Sequence, residues 1–325
     1  MESPVVPVVS VALCTYNGAR FLRQQLDSIL AQSLVQIEVV AVDDVSGDDS
    51  WAILQDYAAR DCRVRAFRNE ANLGFIRNFE AAVQHCRAAL IAPADQDDVW
   101  HADKLQRLVD NLGDASAIYC DSELVDADGA SLGQRISDRL AMYEGRDPAA
   151  FVFLNCVSGH ALLFRRELLA TALPFPRVQY HDWWLAFVAA SAQGIRYWPE
   201  PLVQFRQHAA SATDISGRKE RRRPEDEDRN TVFEARVQWL HELRRVPGQW
   251  QPYFDALYRS CRSLAQRWFS LELWRLMWQR REALFWITRG GPLRRLVLMR
   301  RYAIGMPPKQ WLSRGYKRRP LKLPD

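Results

Sequence analysis

The sequence predicts an α/β fold with a mostly parallel, doubly wound sheet and helices on both faces, followed by a C-terminal helical region. Short runs rich in β-branched residues alternate with stretches of helical period over the first 120 residues. Beyond about residue 150 the pattern becomes mixed, and beyond residue 230 it is helical without a clear strand. With 325 residues and 48% hydrophobic content, the chain can form one large or two modest domains.

The predicted elements alternate as such a sheet requires. Strands are predicted at residues 8–14 and 37–42, and the apolar residues between them recur at helical spacing, which gives a β-α-β unit. Helices are predicted at 50–59, 75–86 and 105–112, and strands at 64–67, 88–94 and 117–120. Later strands are predicted at 161–164 and 202–206, and a buried helix at 183–192.

Charge is divided unevenly along the chain. Residues 229–325 carry 21 Lys and Arg against 6 Asp and Glu, whereas the first 228 residues carry 23 against 33. This division suggests a catalytic or binding domain joined to an electrostatic anchor. We predict a domain over residues 1–213 with halves at about 1–120 and 121–213, a charged linker or loop over 214–230, and a basic helical tail rich in Trp and Arg over 231–325.

Neither a signal peptide nor a transmembrane span is expected. The first seven residues lack a basic segment, the apolar run at 8–14 is short, and no stretch reaches 18 uninterrupted apolar residues. The six cysteines are scattered without metal-ligand spacing, which is typical of reduced thiols in a cytosolic protein.

An acidic tetrad, Asp95-Gln96-Asp97-Asp98, follows the apolar run at residues 88–94. Three carboxylates in four positions repel one another unless a cation or several N–H donors stabilise them. The end of a strand in an open α/β sheet is also where ligands bind, so the tetrad predicts a hard-metal site that could carry a diphosphate. The alternative is a solvated acidic loop before the next helix, where Asp103 precedes Lys104.

Polar side chains also follow the first two strands. Thr15 and Asn17 can hydrogen-bond a base or ribose and Tyr16 can stack on a base, although an ordinary turn with Asn17 as a helix cap has the same composition. Asp44 follows the second strand, where an acidic residue suits ribose or base recognition. A capping role for the residues after Asp44 is the alternative.

Together these motifs resemble the family 2 glycosyltransferases, which have the GT-A fold. The resemblance covers residues 8–112, including Asn72-Leu73-Gly74 and Asn78, and continues more weakly to about residue 213. One departure is Val45, which stands where the family usually has Gly in an Asp-Asp-Gly-Ser motif.

The resemblance implies roles for individual residues. Thr15, Tyr16 and Asp44 would contact the nucleotide base and ribose, and Asn17 and Asn72 belong to the same donor-binding group. Asp95 and Asp97 would bind Mg²⁺ or Mn²⁺ and the donor diphosphate, and Asp98 would assist the metal or hold the sugar.

His181-Asp182-Trp183-Trp184 opens a predicted helix. A carboxylate at a helix N-terminus is stabilised as an anion by the helix dipole, and tryptophans can pack on a sugar ring. Asp182 matches the family's late acidic position, which implies the general base of an inverting enzyme, with Trp183 and Trp184 near the acceptor. The alternative is that Asp182 caps the helix and both tryptophans are core.

Two further segments, Ser158-Gly159-His160 and Arg206-Gln207-His208, are similar to segments of the family's bacterial cell-surface subgroup. Within that subgroup, the segment 181–184 followed by Arg206-Gln207-His208 resembles rhamnosyltransferases. His208 could contact the diphosphate or metal, but a lone His is more often a structural hydrogen-bonding group. The resemblance implies a dTDP-, UDP- or GDP-linked donor, L-rhamnose as one candidate sugar, and a glycan or polyprenyl-linked glycan acceptor in O-antigen or other surface polysaccharide synthesis.

The tail contains seven of the twelve tryptophans interleaved with arginines, a composition suited to the surface of an anionic membrane. We therefore expect a cytoplasmic protein that is peripheral at the inner face of the cell membrane, although a helical subdomain with solvated arginines has the same composition. No nucleic-acid-binding motif accompanies the charge, so nucleic acid is not expected as a partner. The alternative functions are a nucleotidyltransferase and a non-catalytic, membrane-associated assembly protein.

Overall fold

The computed structural model describes residues 6–208, 229–289, 291–304 and 324. Two compact units are present, one formed by Met1–Arg146 with Cys156–Lys219 and the other by Asp147–Asn155 with Glu220–Asp325. The predicted domain boundary at residue 213 and most of the predicted charged linker lie outside the described residues. In the described part of the chain, no helix is long and apolar enough to cross a membrane.

The first unit contains a sheet of nine strands and six α-helices within the described residues. The strands are β1 (Val9–Thr15), β2 (Ile37–Asp43), β3 (Val64–Arg68), β4 (Leu90–Ala94), β5 (Val99–Trp100), β6 (Ala117–Val125), β7 (Ser131–Arg135), β8 (Leu162–Arg165) and β9 (Ile195–Arg206). The helices are α1 (Ala19–Leu30), α2 (Ser50–Arg60), α3 (Phe75–His85), α4 (Lys104–Leu112), α5 (Leu169–Ala172) and α6 (His181–Ser191).

The sheet is parallel in its first half and mixed in its second. Its strand order is β3-β2-β1-β4-β8-β6-β9-β5, with β7 beside β6. β1 pairs in parallel with β2 and β4, and β2 pairs in parallel with β3. β8 is antiparallel to both β4 and β6, whereas β6 and β9 are parallel. The predicted strands near 161–164 and 202–206 are therefore present, but the short strands β5 and β7 were not predicted.

The core of this unit explains why the early strands lack polar alternation. Every residue of β1, β2 and β4 is buried, as expected for parallel strands covered on both faces. Leu22, Leu26 and Ile29 of α1 recur at helical spacing, and all three are fully buried in the same core. Burying each such side chain stabilises the fold by about 1.5–3 kcal/mol.

The second unit is helical after a short segment at residues 147–155. Its helices are α7 (Arg229–Leu243), α8 (Gln251–Ser263), α9 (Leu271–Gln279), α10 (Arg281–Leu284) and α11 (Pro292–Ala303). Ser270 caps α9, because its hydroxyl accepts a hydrogen bond from the N–H of Leu273 at 3.1 Å. The segment 147–155 is tied to these helices by the indole N–H of Trp239, which donates to the carbonyl of Val152 at 2.9 Å.

Candidate active site

The carboxyl ends of three neighbouring parallel strands lie at one edge of the sheet. Thr15 at the end of β1 pairs with Asp43 at the end of β2, and Leu13 of β1 pairs with Ala94, the last residue of β4. The loops that follow these strands carry Tyr16-Asn17, Asp44 and the tetrad from Asp95 to Asp98. This strand register brings the polar loops to the edge where open α/β sheets bind ligands.

Gln96 ties the loop after β1 to the acidic loop after β4. Its side-chain oxygen accepts hydrogen bonds from the Thr15 hydroxyl and the Tyr16 N–H, both at 2.8 Å, and its amide donates to the Tyr16 carbonyl at 3.2 Å. A Cβ added at Gly18 would lie 2.1 Å from the Gln96 oxygen. The Tyr16 side chain remains half exposed. Sequence reasoning missed Gln96 because it looks like a spacer between two acids.

Asn17, in the loop after β1, and Val45, in the loop after β2, both adopt the left-handed backbone conformation, with φ values of 51° and 62°. The Asn17 side-chain oxygen accepts from the Gly47 N–H at 2.8 Å, and the Asn17 N–H donates to the Ser46 hydroxyl at 2.9 Å. Asn17 therefore joins the first two loops. A β-branched residue in this region costs about 1–2 kcal/mol, so Val45 adopts at some cost the conformation that Gly would adopt freely.

Asp44 is buried and organises the loop before α3. Its carboxylate accepts hydrogen bonds from the Asn69 amide at 2.7 Å, the Leu73 N–H at 2.8 Å and the Gly74 N–H at 2.9 Å. The Asn72 amide donates to the Asp44 backbone carbonyl at 3.1 Å. The two predicted donor-binding residues Asp44 and Asn72 are thus brought together, and three of the carboxylate's hydrogen bonds hold the 69–74 loop.

Asp95, Asp98 and His160 form a group whose ligand atoms all lie within 4.8 Å of one another. The His160 Nδ1 is 3.7 Å from Asp95 Oδ2 and 3.4 Å from Asp98 Oδ2. Asp98 and His160 are buried, whereas the Asp95 side chain is 41% exposed. On the other side of the ring, His160 Nε2 lies 3.0 Å from the Ser122 hydroxyl, a contact that fixes the ring orientation.

This group fits a divalent cation. The buried Asp98 Oδ2 has no hydrogen-bond partner among the described residues, which is costly for a carboxylate oxygen unless a cation approaches it. Burial raises the pKa of Asp98 to about 7, although the nearby His160 acts to lower it. Burial also opposes protonation of His160, but the charges of Asp98 and Asp95 outweigh burial and raise its pKa. Two carboxylates and one imidazole are an acceptable ligand set for Mn²⁺, whereas Mg²⁺ prefers oxygen alone.

Asp97, predicted as a metal ligand with Asp95, lies outside this three-residue group. Its Oδ2 is 2.8 Å from His208 Nε2, so the structure does bring His208 to the acidic loop. Burial and the charge of Asp95 raise the pKa of Asp97. The buried Arg206 supports the same loop, because its Nε donates to the Asp97 carbonyl at 2.8 Å and its backbone N–H donates to Asp98 Oδ1 at 3.0 Å.

Lys104 is a fully buried cation beneath the acidic loop. Its ammonium donates to the His160 carbonyl at 2.5 Å and lies 3.0 Å from the centre of the Trp100 ring. Burial lowers the pKa of Lys104 to about 7, although Asp98 and Asp95 act in the opposite direction. In the sequence Lys104 only marks the start of the helix after Asp103. Its position on the apolar stripe of Leu105, Leu108 and Leu112 was the one available signal.

Asp182 lies in the first turn of α6, where it accepts two backbone hydrogen bonds. Its Oδ2 accepts from the Gly159 N–H at 3.1 Å and its Oδ1 from the Trp183 N–H at 2.5 Å. Burial raises the pKa of Asp182 to about 7, and the charge of Asp95 adds to that effect. Gly159 directly precedes His160, so Asp182 is connected through one backbone group to the Asp95, Asp98 and His160 cluster.

The two tryptophans after Asp182 differ in position. Trp183 is half-buried, whereas Trp184 is fully buried and its indole N–H donates to the Ala172 carbonyl at 2.8 Å. This burial leaves no face of the Trp184 ring for a sugar, so the acceptor role predicted for Trp184 does not fit the structure. Trp184 is therefore a core residue.

The chain is similar to known proteins both in sequence and in fold. The model of the family described as Glycosyl transferase family 2 matches residues 10–172, half of the chain, and this range includes β2, the acidic loop and His160. An uncharacterized glycosyltransferase of Rickettsia prowazekii (strain Madrid E) is 27% identical over 222 residues, which cover 65% of this chain and 67% of that protein.

Two solved structures share the fold at low sequence identity. S. aureus TarS 1–349 in complex with UDP-GlcNAc has a TM-score of 0.55 and 14% identity, covering 89% of this chain and 83% of that chain. The mannosyltransferase PcManGT from Pyrobaculum calidifontis, in complex with GDP-Man and Mn²⁺, has a TM-score of 0.52 and 20% identity. The match covers 91% of this chain and 84% of that chain.

Proposed function

The chain belongs to glycosyl transferase family 2, and from this premise we propose that it is an inverting enzyme that moves a sugar from a nucleotide-diphosphate donor to a glycan hydroxyl. The single observation that carries the proposal is the group of Asp95, Asp98 and His160, in which the buried Asp98 Oδ2 accepts no hydrogen bond from any described residue. The similarly folded PcManGT holds GDP-Man with Mn²⁺, and TarS holds UDP-GlcNAc, which supports this class of donor.

The nucleotide would lie across the loops that follow β1 and β2. The half-exposed Tyr16 ring can stack on a base, and the Gln96 bonds to Thr15 and Tyr16 hold that loop against the acidic loop. Asp44 and Asn72 would act mainly by shaping the 69–74 loop beside the ribose, because their hydrogen bonds join them to each other and to that loop. Asn17 would hold the first two loops together in the same way.

The metal would be held by Asp95, Asp98 and His160. Asp97 of the acidic loop and His208, which follows β9 and contacts Asp97, would lie beside the metal or the diphosphate. A divalent cation bound there stabilises the negative charge of the leaving diphosphate as a Lewis acid. Lys104 and Arg206 would act as positioning residues. Lys104 holds the His160 carbonyl, and Arg206 holds the Asp97 carbonyl and the Asp98 carboxylate.

Asp182 would take the proton from the acceptor hydroxyl as the acceptor oxygen attacks the anomeric carbon. Attack from the face opposite to the leaving diphosphate inverts the configuration of that carbon. A base with a pKa of about 7 is well matched to this role near neutral pH. The half-buried Trp183 ring would lie beside the acceptor sugar.

The finer assignments concern the sugar and the acceptor. We propose L-rhamnose as the first donor sugar to test, because the segments from His181 to Trp184 and from Arg206 to His208 are similar to those of rhamnosyltransferase-like family members. A glycan on a polyprenyl carrier, used in the synthesis of O-antigen or another surface polysaccharide at the inner face of the membrane, would explain the basic tail.

A donor screen tests the proposal. UDP-, dTDP- and GDP-sugars, dTDP-L-rhamnose among them, are added to the full chain with Mn²⁺, with Mg²⁺ and with EDTA, and thermal stability and nucleotide-diphosphate release are measured. We expect one nucleotide class to raise the melting temperature by several degrees with a metal and not with EDTA. Stabilisation by no nucleotide sugar, or equal stabilisation with EDTA, would contradict the metal-bound donor.

A further inference from the structure

The helical unit exposes an unusual number of large apolar side chains between residues 268 and 297. Trp268, Leu271, Leu293 and Val297 are between 60% and 79% exposed, and Trp278 and Trp286 are nearly half exposed. The opposite faces of the same helices already supply a core, since Leu273 and Met277 of α9 and Met299 and Ala303 of α11 are buried. Packing within the unit therefore does not account for the outward apolar residues.

Four of the exposed residues, Leu271, Trp278, Leu293 and Val297, lie on single faces of the helices α9 and α11. On α9, Leu271, Arg275 and Trp278 recur at positions i, i+4 and i+7, and on α11 Leu293, Val297 and Arg300 do the same. An open hollow of about 470 Å³ joins the two helices and is lined by Phe269, Trp274, Leu296, Val297 and Arg300. We call these two faces and the hollow the apolar–basic surface.

The arginines of this surface lack carboxylate partners within the described part of the chain. Arg244, Arg245, Arg280 and Arg295 elsewhere in the unit pair with Asp255, Glu242, Asp147 and Glu282. In contrast, no ion pair among the described residues involves the exposed arginines at the surface, which are Arg267, Arg275, Arg294, Arg300 and Arg301. Exposed apolar side chains beside arginines that form no ion pair among the described residues fit a partner that is both apolar and anionic.

We propose that the apolar–basic surface inserts shallowly into the interface of an anionic phospholipid bilayer. Exposed Trp and Leu side chains enter the boundary between headgroups and acyl chains, while arginines contact lipid phosphates. A second copy of the chain fits poorly, because a two-fold interface would place these arginines against one another. The segment 305–323 also fits poorly as a cover, since it carries six Lys and Arg and no Asp or Glu. This proposal is independent of sugar transfer.

Vesicle co-sedimentation of the full chain, without metal or nucleotide sugar, tests the surface. Vesicles of phosphatidylcholine with about one third phosphatidylglycerol are compared with phosphatidylcholine alone at low salt. Val297→Asp is compared with Val35→Asp as a matched control, because the two valines are 66% and 67% exposed and Val35 lies in the first unit. Circular dichroism checks that both variants are folded.

We expect the wild-type protein to bind anionic vesicles, and this binding should fall as salt rises. Val297→Asp should weaken the binding by at least about tenfold, whereas Val35→Asp should leave it unchanged. Equal binding by Val297→Asp and the wild type would overturn the assignment of the surface, as would absence of binding to anionic vesicles. A dimer that Val297→Asp dissociates, without vesicle binding by the wild type, would overturn it in favour of a second copy. Binding gained only after neutralising the acidic residues 225–228 would show that this segment covers the surface, which also overturns the proposal.

Discussion

The pH dependence of turnover follows from the position of Asp182. Burial raises the pKa of this carboxyl to about 7, so the group is a protonated acid below that pH and a competent base above it. The rate must therefore rise with pH through 7. At pH 5 only about 1% of the carboxyl is ionised, so kcat/KM should be about one hundredth of its value on the alkaline plateau.

The assay is nucleotide-diphosphate release at several donor concentrations between pH 5 and 8.5. Mn²⁺ is kept saturating at every pH, because Asp98 and His160 also titrate and a loss of metal would imitate the loss of the base. The expected log plot of kcat/KM has a slope of about one below pH 7 and is flat above it. A rate that is constant from pH 5 to pH 8, with metal saturating, would refute the role of Asp182 as the base.

Two further predictions concern the metal group and the loop after β1. His160→Ala should weaken Mn²⁺ binding by about tenfold or more, measured by calorimetry without nucleotide. His101→Ala, at an exposed histidine, is the control and should leave Mn²⁺ binding unchanged. Equal Mn²⁺ affinities of His160→Ala and the wild type would exclude His160 as a ligand. Gly18→Ala should push Gln96 away from Thr15 and Tyr16, because the added Cβ would clash with the Gln96 side chain. The donor KM should therefore rise several-fold, and the free energy of unfolding should fall by about 1 kcal/mol. Gly291→Ala, with nothing within 4 Å of the added Cβ, is its control, and an equal effect of both changes would disprove the clash.

The fold class was predictable because the early strands are uninterrupted apolar runs separated by helical periods, and the GT-A fold is confirmed. The mixed half of the sheet was harder to predict, since β8 enters between β4 and β6 from more than 40 residues away. Short strands such as β5, with two residues, carry too little pattern to be recognised.

The site was predictable in its location but not in its internal contacts. The end of a predicted strand indicates where the acidic tetrad lies. The backbone conformation of the tetrad, which the sequence does not reveal, directs Asp98 toward His160 and Asp97 toward His208. His160 reaches the tetrad across about 60 residues of sequence, so no local pattern reveals the contact. Trp183 and Trp184 are chemically identical, and only tertiary packing distinguishes the half-buried ring from the core ring.

The measurement that tests the central claim most directly compares donor binding and turnover in Asp182→Asn. The change keeps the size of the side chain and removes its capacity as a base. We expect turnover to fall by at least about a hundredfold, while the Kd for the donor with Mn²⁺ stays within about threefold of the wild-type value. Undiminished turnover would contradict the proposed mechanism, and a parallel loss of donor affinity would place Asp182 in donor binding instead.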